Sequence, residues 1–146
     1  MTELGHVVYY VRTLETSLAF YRDAVGLEVS GKIFNDRAAL LTGGRTHHEL
    51  LLIEVGEATG PPAGKRIGLY HVGWKIGNSL EDLRQARDRI LELGYGIDAL
   101  SDHTVSQSLY LRDPDGNEVE LFVDNPAFDW KNDTSWMVAP VKPLAL

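Results

Sequence analysis

"GHVVYYVRTLETSLAFYRDAVGLEV" (residues 5–29) and "YHVGWKIGNSLEDLRQARDRILELGYGI" (residues 70–97) are written in one grammar. Each opens with a histidine on an alternating strand, breaks at polar residues, runs on with helical spacing, reaches a glycine and enters another strand. Self-similarity of this kind points to a duplicated structural unit. In the first copy Leu14, Leu18, Tyr21 and Val25 recur at helical spacing; in the second Leu80, Leu83, Arg87, Ile90 and Leu93 or Gly94 do. Thr13, and Asn78 with Ser79, stand where a helix N-cap is needed, and Gly26 and Gly94 where a left-handed C-terminal cap is expected. Three strand candidates follow each helix, at 27–33, 37–42 and 48–55, then at 96–101, 106–112 and 117–123. The expectation is an α+β fold in which two βαβββ modules build one eight-stranded, curved, barrel-like sheet with the helices outside.

Side chains on a strand alternate faces, so parity predicts what lines the inner face of such a sheet. Tyr70, Val72, Trp74 and Ile76 form an apolar row that calls for a helix, which leaves His71, Gly73 and Lys75 on the other side. In the first copy Val7, Tyr9 and Val11 oppose His6, Val8 and Tyr10, and on the last strand Val119, Leu121 and Val123 oppose Glu118, Glu120 and Phe122. The rows turned away from the helices therefore carry His6, His71 and Glu120. Asp113-Pro114-Asp115-Gly116 reads as the hairpin turn before that last strand, a structural element. Glu118, close to the turn, reads as a solvated rim charge.

A single histidine on a strand is ordinarily a hydrogen-bonded core or rim residue. Here His6 and His71 hold the same place in two copies, 65 residues apart, and Glu120 ends the second copy. Two imidazoles and a carboxylate make a facial triad for a divalent metal, with three adjacent positions of an octahedron left open. With no cysteine in the chain, a metal has only His and carboxylate ligands to draw on.

Composition narrows the partners. A length of 146 residues suits one domain. The expected organisation is a single domain over 1–124, with module 1 at 4–55, module 2 at 67–124, and a C-terminal tail, 125–146, packing on the domain or on a partner subunit. The loop 56–66, "GEATGPPAGKR", joins the modules with turn chemistry throughout and lies where it could act as a lid. A formal charge of -7 and a pI near 5.1 argue against a nucleic-acid surface. No apolar run approaches the roughly 20 residues that span a bilayer. The chain is read as soluble and cytoplasmic, with a small-molecule partner.

With these features in place, the chain resembles the vicinal oxygen chelate superfamily, and within it the type I extradiol, catechol 2,3-dioxygenase-like enzymes, over residues 4–124. The resemblance implies that His6, His71 and Glu120 bind Fe(II), with Mn(II) as a less common alternative. "THHELLLIEV" resembles the family's strand bearing a proton-transferring histidine and selects His48, whereas strict parity places His47 with Glu49 and Leu51 on the inner face. "DHTVSQSLYLRDPDGNEVEL" resembles the family fingerprint and gives His103 and Tyr110 the roles of hydrogen-bonding the substrate oxygens, with Glu120 as ligand. Phe122 and Tyr10 are candidates to shape an apolar pocket. The implied reaction is meta-cleavage of a small aromatic diol with O₂, in aromatic hydrocarbon catabolism, by a homodimer or larger homo-oligomer. The alternatives are a metal-dependent glyoxalase-like lyase or isomerase, a thiol transferase of the same superfamily, or a metal-free small-molecule binding protein.

Overall fold

The computed structural model describes residues 1–146 and divides the chain into two compact units, Met1–Ala63 with Asp113–Gly116, and Gly64–Arg112 with Asn117–Leu146. The fold is mixed α+β. In the first unit β1 (Val7–Val11), α1 (Leu14–Ala19), β2 (Glu28–Ile33), β3 (Ala38–Thr42) and β4 (Leu50–Glu54) follow in order. The second contains β5 (His71–Gly77), α2 (Leu80–Glu92), β6 (Ala99–Asp102), β7 (Ser106–Arg112), β8 (Glu118–Asp124) and a short β9 (Lys142–Pro143). The βαβββ order is thus present twice.

The strands do not form one eight-stranded sheet. Their hydrogen-bond ladders make a four-stranded sheet, ordered β1-β4-β3-β2, and a five-stranded sheet, ordered β5-β8-β7-β6-β9. In each copy the opening strand runs parallel to the last strand of the same copy, with Val7 opposite Leu50 and His71 opposite Glu118. Each ladder is therefore completed within its own unit. Parity assigns a side chain to a face but does not say which strand edges join.

In the first unit Tyr9 and Val11 of β1 are buried while Val8 and Tyr10 are exposed, which is the alternation of a sheet with one covered face. Leu14 and Leu18 of α1 supply the cover, and the helix continues into a π-helical segment, Phe20–Val25, that buries Phe20, Tyr21, Ala24 and Val25. Gly26, at φ 96°, ends it in the left-handed conformation. Thr13 occupies the N-cap position, but its side chain makes no capping bond; Glu54 at the end of β4 accepts from the Leu14 amide at 2.7 Å instead. The Asp113–Gly116 turn belongs to this unit, where the Tyr21 hydroxyl donates to the buried Asp113 carboxylate at 2.8 Å and Arg12 pairs with Asp115 at 3.1 Å. Arg12 also reaches the Ala58 carbonyl at 3.2 Å, which ties the start of the 56–66 loop to β1.

In the second unit Ser79 caps α2 through a reciprocal capping box with Asp82. Leu83, Ala86 and Ile90 make the buried face of α2, and Leu109, Leu111, Val119, Leu121 and Val123 answer from β7 and β8. Each such large apolar side chain contributes about 1.5 to 3 kcal/mol on burial. Leu80 and Leu93, expected on this face, are exposed at its two ends, and Tyr70 lies outside β5 and is exposed. The tail is anchored here: β9 pairs with β6, and the Arg87 guanidinium donates to the Leu146 carbonyl at 2.6 Å. No helix is long and apolar enough to cross a membrane.

Candidate functional site

The second unit gathers most of the chemistry on the face of its sheet turned away from the core. Parallel pairing sets Gly73 beside Glu120, and antiparallel pairing sets Tyr110 of β7 on Glu120's other side. Period two then turns His71, Glu118, Glu120 and Tyr110 to one face while Val119 and Leu121 go to the core. His71 Nε2 lies 3.1 Å from Glu120 Oε2, and His71 Nδ1 lies 2.9 Å from Glu118 Oε2. The Tyr110 hydroxyl donates to Glu120 Oε1 at 2.9 Å. With its only proton so committed, it accepts from His103 Nε2, also at 2.9 Å. Burial, then the charge of Glu120, push the Tyr110 pKa well above the ordinary phenol value, so this group keeps its proton.

Gly73 makes the closeness possible. A Cβ at that position would come within 3.1 Å of Glu120 Oε2 and 3.5 Å of the Phe122 ring. Any larger residue would press on the carboxylate. His103 is aimed by a tight turn in which its amide donates to the Ser106 carbonyl at 2.8 Å. The next residue, Thr104, is held at φ 73°, a conformation that costs a β-branched residue roughly 1 to 3 kcal/mol. Two bonds hold it there: its amide donates to Asp102 at 2.8 Å, and Asn125 donates to its carbonyl at 3.0 Å.

A cavity of about 410 Å³ opens on this cluster. His71, His103, Tyr110 and Glu120 form its polar side, while Val105, Trp136, Met137, Ala139 and Val141 form its apolar side. Four of these five apolar residues come from the tail, which the sequence alone leads one to expect packed on the domain or on a partner subunit. Pockets with one apolar wall and a few convergent polar groups suit small organic ligands.

Glu118 corrects the sequence reading. Expected as a solvated rim charge, it has a side chain only 11% exposed, bound through Oε2 to His71 and approached at Oε1 by Arg112 at 3.4 Å. Parity puts Glu118 on the same face as Glu120, but the register of β5 against β8, which sets His71 directly opposite Glu118, leaves no mark on the sequence. Lys75, on the same row as His71, is a rim residue paired with Asp124 at 2.7 Å.

The first unit brings three histidines together. The His48 ring lies 4.7 Å from that of His6 and 4.4 Å from that of His47, centroid to centroid. β4 begins only at Leu50, so both His47 and His48 lie on the loop before it, where strand parity does not apply. Burial, then the neighbouring His47 and His6, lower the His48 pKa, which favours a neutral imidazole at neutral pH.

Glu49 shapes that loop. Its carboxylate accepts from the amides of Gly43 at 2.8 Å, Arg45 at 3.1 Å and Thr46 at 3.2 Å, and from the Thr42 hydroxyl at 3.0 Å. Burial works to raise the Glu49 pKa, but these donors outweigh it and the net shift is downward from the ordinary 4.5. A depressed carboxylate contributes stability that is present above its unfolded pKa and lost as pH falls through the folded one. Glu49→Gln is accordingly expected to cost about 1 to 3 kcal/mol at pH 7 and much less at pH 3. Urea denaturation at the two pH values measures this; an equal cost at both would show that the ionised carboxylate is not what holds the loop.

Two donors at about 2.1 Å from one ion, set at right angles, are about 3.0 Å apart. The Nε2 of His71 and Oε2 of Glu120, at 3.1 Å, have that spacing. No three or more His, Asp or Glu side chains converge as a metal cage in this structure. His71 and Glu120 thus have the spacing of a donor pair.

Comparison with known proteins agrees with the duplicated fold. The family model of the Glyoxalase/Bleomycin resistance protein/Dioxygenase superfamily matches residues 3–121. A catechol-2,3-dioxygenase of Bacillus subtilis (strain 168) is 38% identical over 132 residues, 90% of this chain and 45% of that protein. Biphenyl-2,3-diol 1,2-dioxygenase 3 of Rhodococcus globerulus is 32% identical over 132 residues, 84% of this chain and 63% of that protein. This chain therefore spans about half to two thirds of the length of these relatives. Among solved structures, a lactoylglutathione lyase from Agrobacterium tumefaciens is 25% identical with a TM-score of 0.62, over 84% of this chain and 94% of that one. A glyoxylase/bleomycin resistance protein/dioxygenase domain from Frankia sp. EAN1pec shares the fold, with a TM-score of 0.69 at 20% identity over 86% of this chain and 99% of that one. From its duplicated βαβββ order and the match of residues 3–121, the chain belongs to the glyoxalase/bleomycin resistance protein/dioxygenase superfamily.

Proposed function

We propose that this protein is an Fe(II)-dependent extradiol dioxygenase that cleaves a catecholic ring beside its hydroxyls. The observation that carries the reading is the hydrogen-bonded line from His103 through Tyr110 to Glu120, with His71 Nε2 3.1 Å from the same carboxylate, along one side of a cavity with an apolar wall. The relatives named for dioxygenase activity on aromatic diols support the choice of reaction. Residues 1–124 act in this reading as one vicinal oxygen chelate domain, with His6, His71 and Glu120 as the ligands of a single ion. Mn(II) is the alternative metal for the same donor set.

When bound, the iron supplies charge neutralisation for a chelated diol and electronic coupling between that diol and O₂. The residues of this chain do the rest. Trp136, Met137 and Val141 receive the apolar part of the ring and exclude water from it. Tyr110, kept protonated by burial and by Glu120, is a hydrogen-bond donor beside the ligand carboxylate, and His103 Nε2–H holds the phenol oxygen in place. His48, neutral at neutral pH, takes up a proton as the diol is deprotonated and returns one when the ring opens.

The test is anaerobic loading with Fe(II), followed by O₂ uptake and the yellow ring-opened product across a panel of catechols. The expected result is one O₂ consumed for each diol opened. Metal bound without O₂ uptake would contradict the dioxygenase reading and favour a lyase, isomerase or thiol transferase of the superfamily; failure to bind metal would favour a binding protein.

A further inference from the structure

We propose that Glu118 is a positioning residue that fixes the orientation of His71. The inference rests on the reading of His71 and Glu120 as metal ligands, and goes beyond it by giving a role to a carboxylate outside that pair. An imidazole can present Nε2 to an ion reproducibly only if the ring is held against rotation and Nδ1 carries the proton. On β8 the two carboxylates two residues apart meet the two nitrogens of one ring: Glu118 Oε2 at 2.9 Å from Nδ1, and Glu120 Oε2 at 3.1 Å from Nε2.

The arrangement is directional. Glu120 spends its other oxygen on the Tyr110 hydroxyl, at the cavity, whereas Glu118 has its other oxygen beside the Arg112 guanidinium, away from the cavity lining. Arg112 is in turn held by Asp98 at 3.0 Å. Glu118 is thereby kept in place from behind, and its Oε2 is the acceptor for His71 Nδ1–H. The parallel register of β5 and β8, which sets His71 directly opposite Glu118, is what makes the contact possible. Glu118 does not line the cavity, so its effect on a bound ion passes through His71.

The experiment compares wild type, Glu118→Ala and Glu118→Gln as metal-free proteins titrated with Co(II), followed by visible absorption, with the Nδ1–H proton of His71 observed by NMR in the Zn(II)-loaded forms. Glu118→Ala is expected to weaken Co(II) binding by about 10- to 100-fold and to lose the downfield, slowly exchanging Nδ1–H resonance. Glu118→Gln, whose amide oxygen can still accept that proton, is expected to bind within a few-fold of wild type and to retain the resonance. Wild-type affinity and an unchanged resonance in Glu118→Ala would overturn the proposal while leaving the metal reading intact. Equal weakening by Ala and Gln would also overturn it, because charge and not orientation would then be the contribution. If wild type itself fails to bind Co(II), the metal reading falls, and the role of Glu118 falls with it.

Discussion

Glu120→Ala is expected to leave a folded protein that no longer retains iron and does not turn over. Glu120 stands at the centre of the site: one oxygen faces His71 Nε2 at 3.1 Å and the other receives the Tyr110 hydroxyl at 2.9 Å. Its removal takes away a charged donor from the proposed set of three, which is expected to weaken metal binding by more than the roughly 10- to 100-fold cost of losing a residue that only orients a ligand. The core-facing neighbours Val119 and Leu121 are untouched, so the fold should persist. His6→Ala should show the same loss from the first unit. Metal content after anaerobic loading and desalting measures both; a Glu120→Ala protein that keeps its iron would remove this residue from the ligand set.

His48→Gln should behave in the opposite way, keeping its metal while turnover falls by about 100- to 10,000-fold, the usual worth of a positioned acid or base. Its ring stands beside that of His6, 4.7 Å away, and its pKa is lowered by burial and by the two neighbouring imidazoles. Glutamine preserves size and hydrogen bonding but cannot carry the proton. His103→Ala and Tyr110→Phe are expected to fall between wild type and His48→Gln, since they remove hydrogen bonds and not the proton carrier. If His48→Gln turns over at the wild-type rate and His47→Gln is inactive, proton transfer belongs to His47. If neither substitution matters, the proposed mechanism is wrong.

Much of this was legible in the sequence because it depends on period and spacing. The duplicated grammar gave both βαβββ modules, and the strand expectations at 106–112 and 117–123 fall within a residue of β7 and β8. Parity alone placed His71 and Glu120 on the face turned from the core. The division into two sheets was not legible, because hydrogen bonding between strand edges leaves no mark on the alternation of side chains. Nor was the helix cap at Thr13, where the amide is satisfied by Glu54, a residue 40 positions further along the chain.

Glu118 shows the same limit at the site. Parity puts it on the same face as Glu120, but only the register of β5 against β8 makes it a partner of His71. The apolar wall of the cavity was hidden for a different reason. Trp136, Met137, Ala139 and Val141 lie in an irregular segment with no period to read, and only the pairing of Lys142–Pro143 with β6 brings that segment to the sheet. Gly73, which reads as an ordinary member of a strand row, becomes informative once Glu120 is seen against it.

The central claim is that His6, His71 and Glu120 hold one ion, and the most direct measurement is a crystal structure of the Fe(II)- or Co(II)-loaded protein with anomalous scattering at the metal edge. The predicted result is a single site with His6, His71 and Glu120 each at about 2.0 to 2.2 Å, whether the three come from one chain or from two copies. An ion bound without His6, or one bound away from His71 and Glu120 altogether, would contradict it.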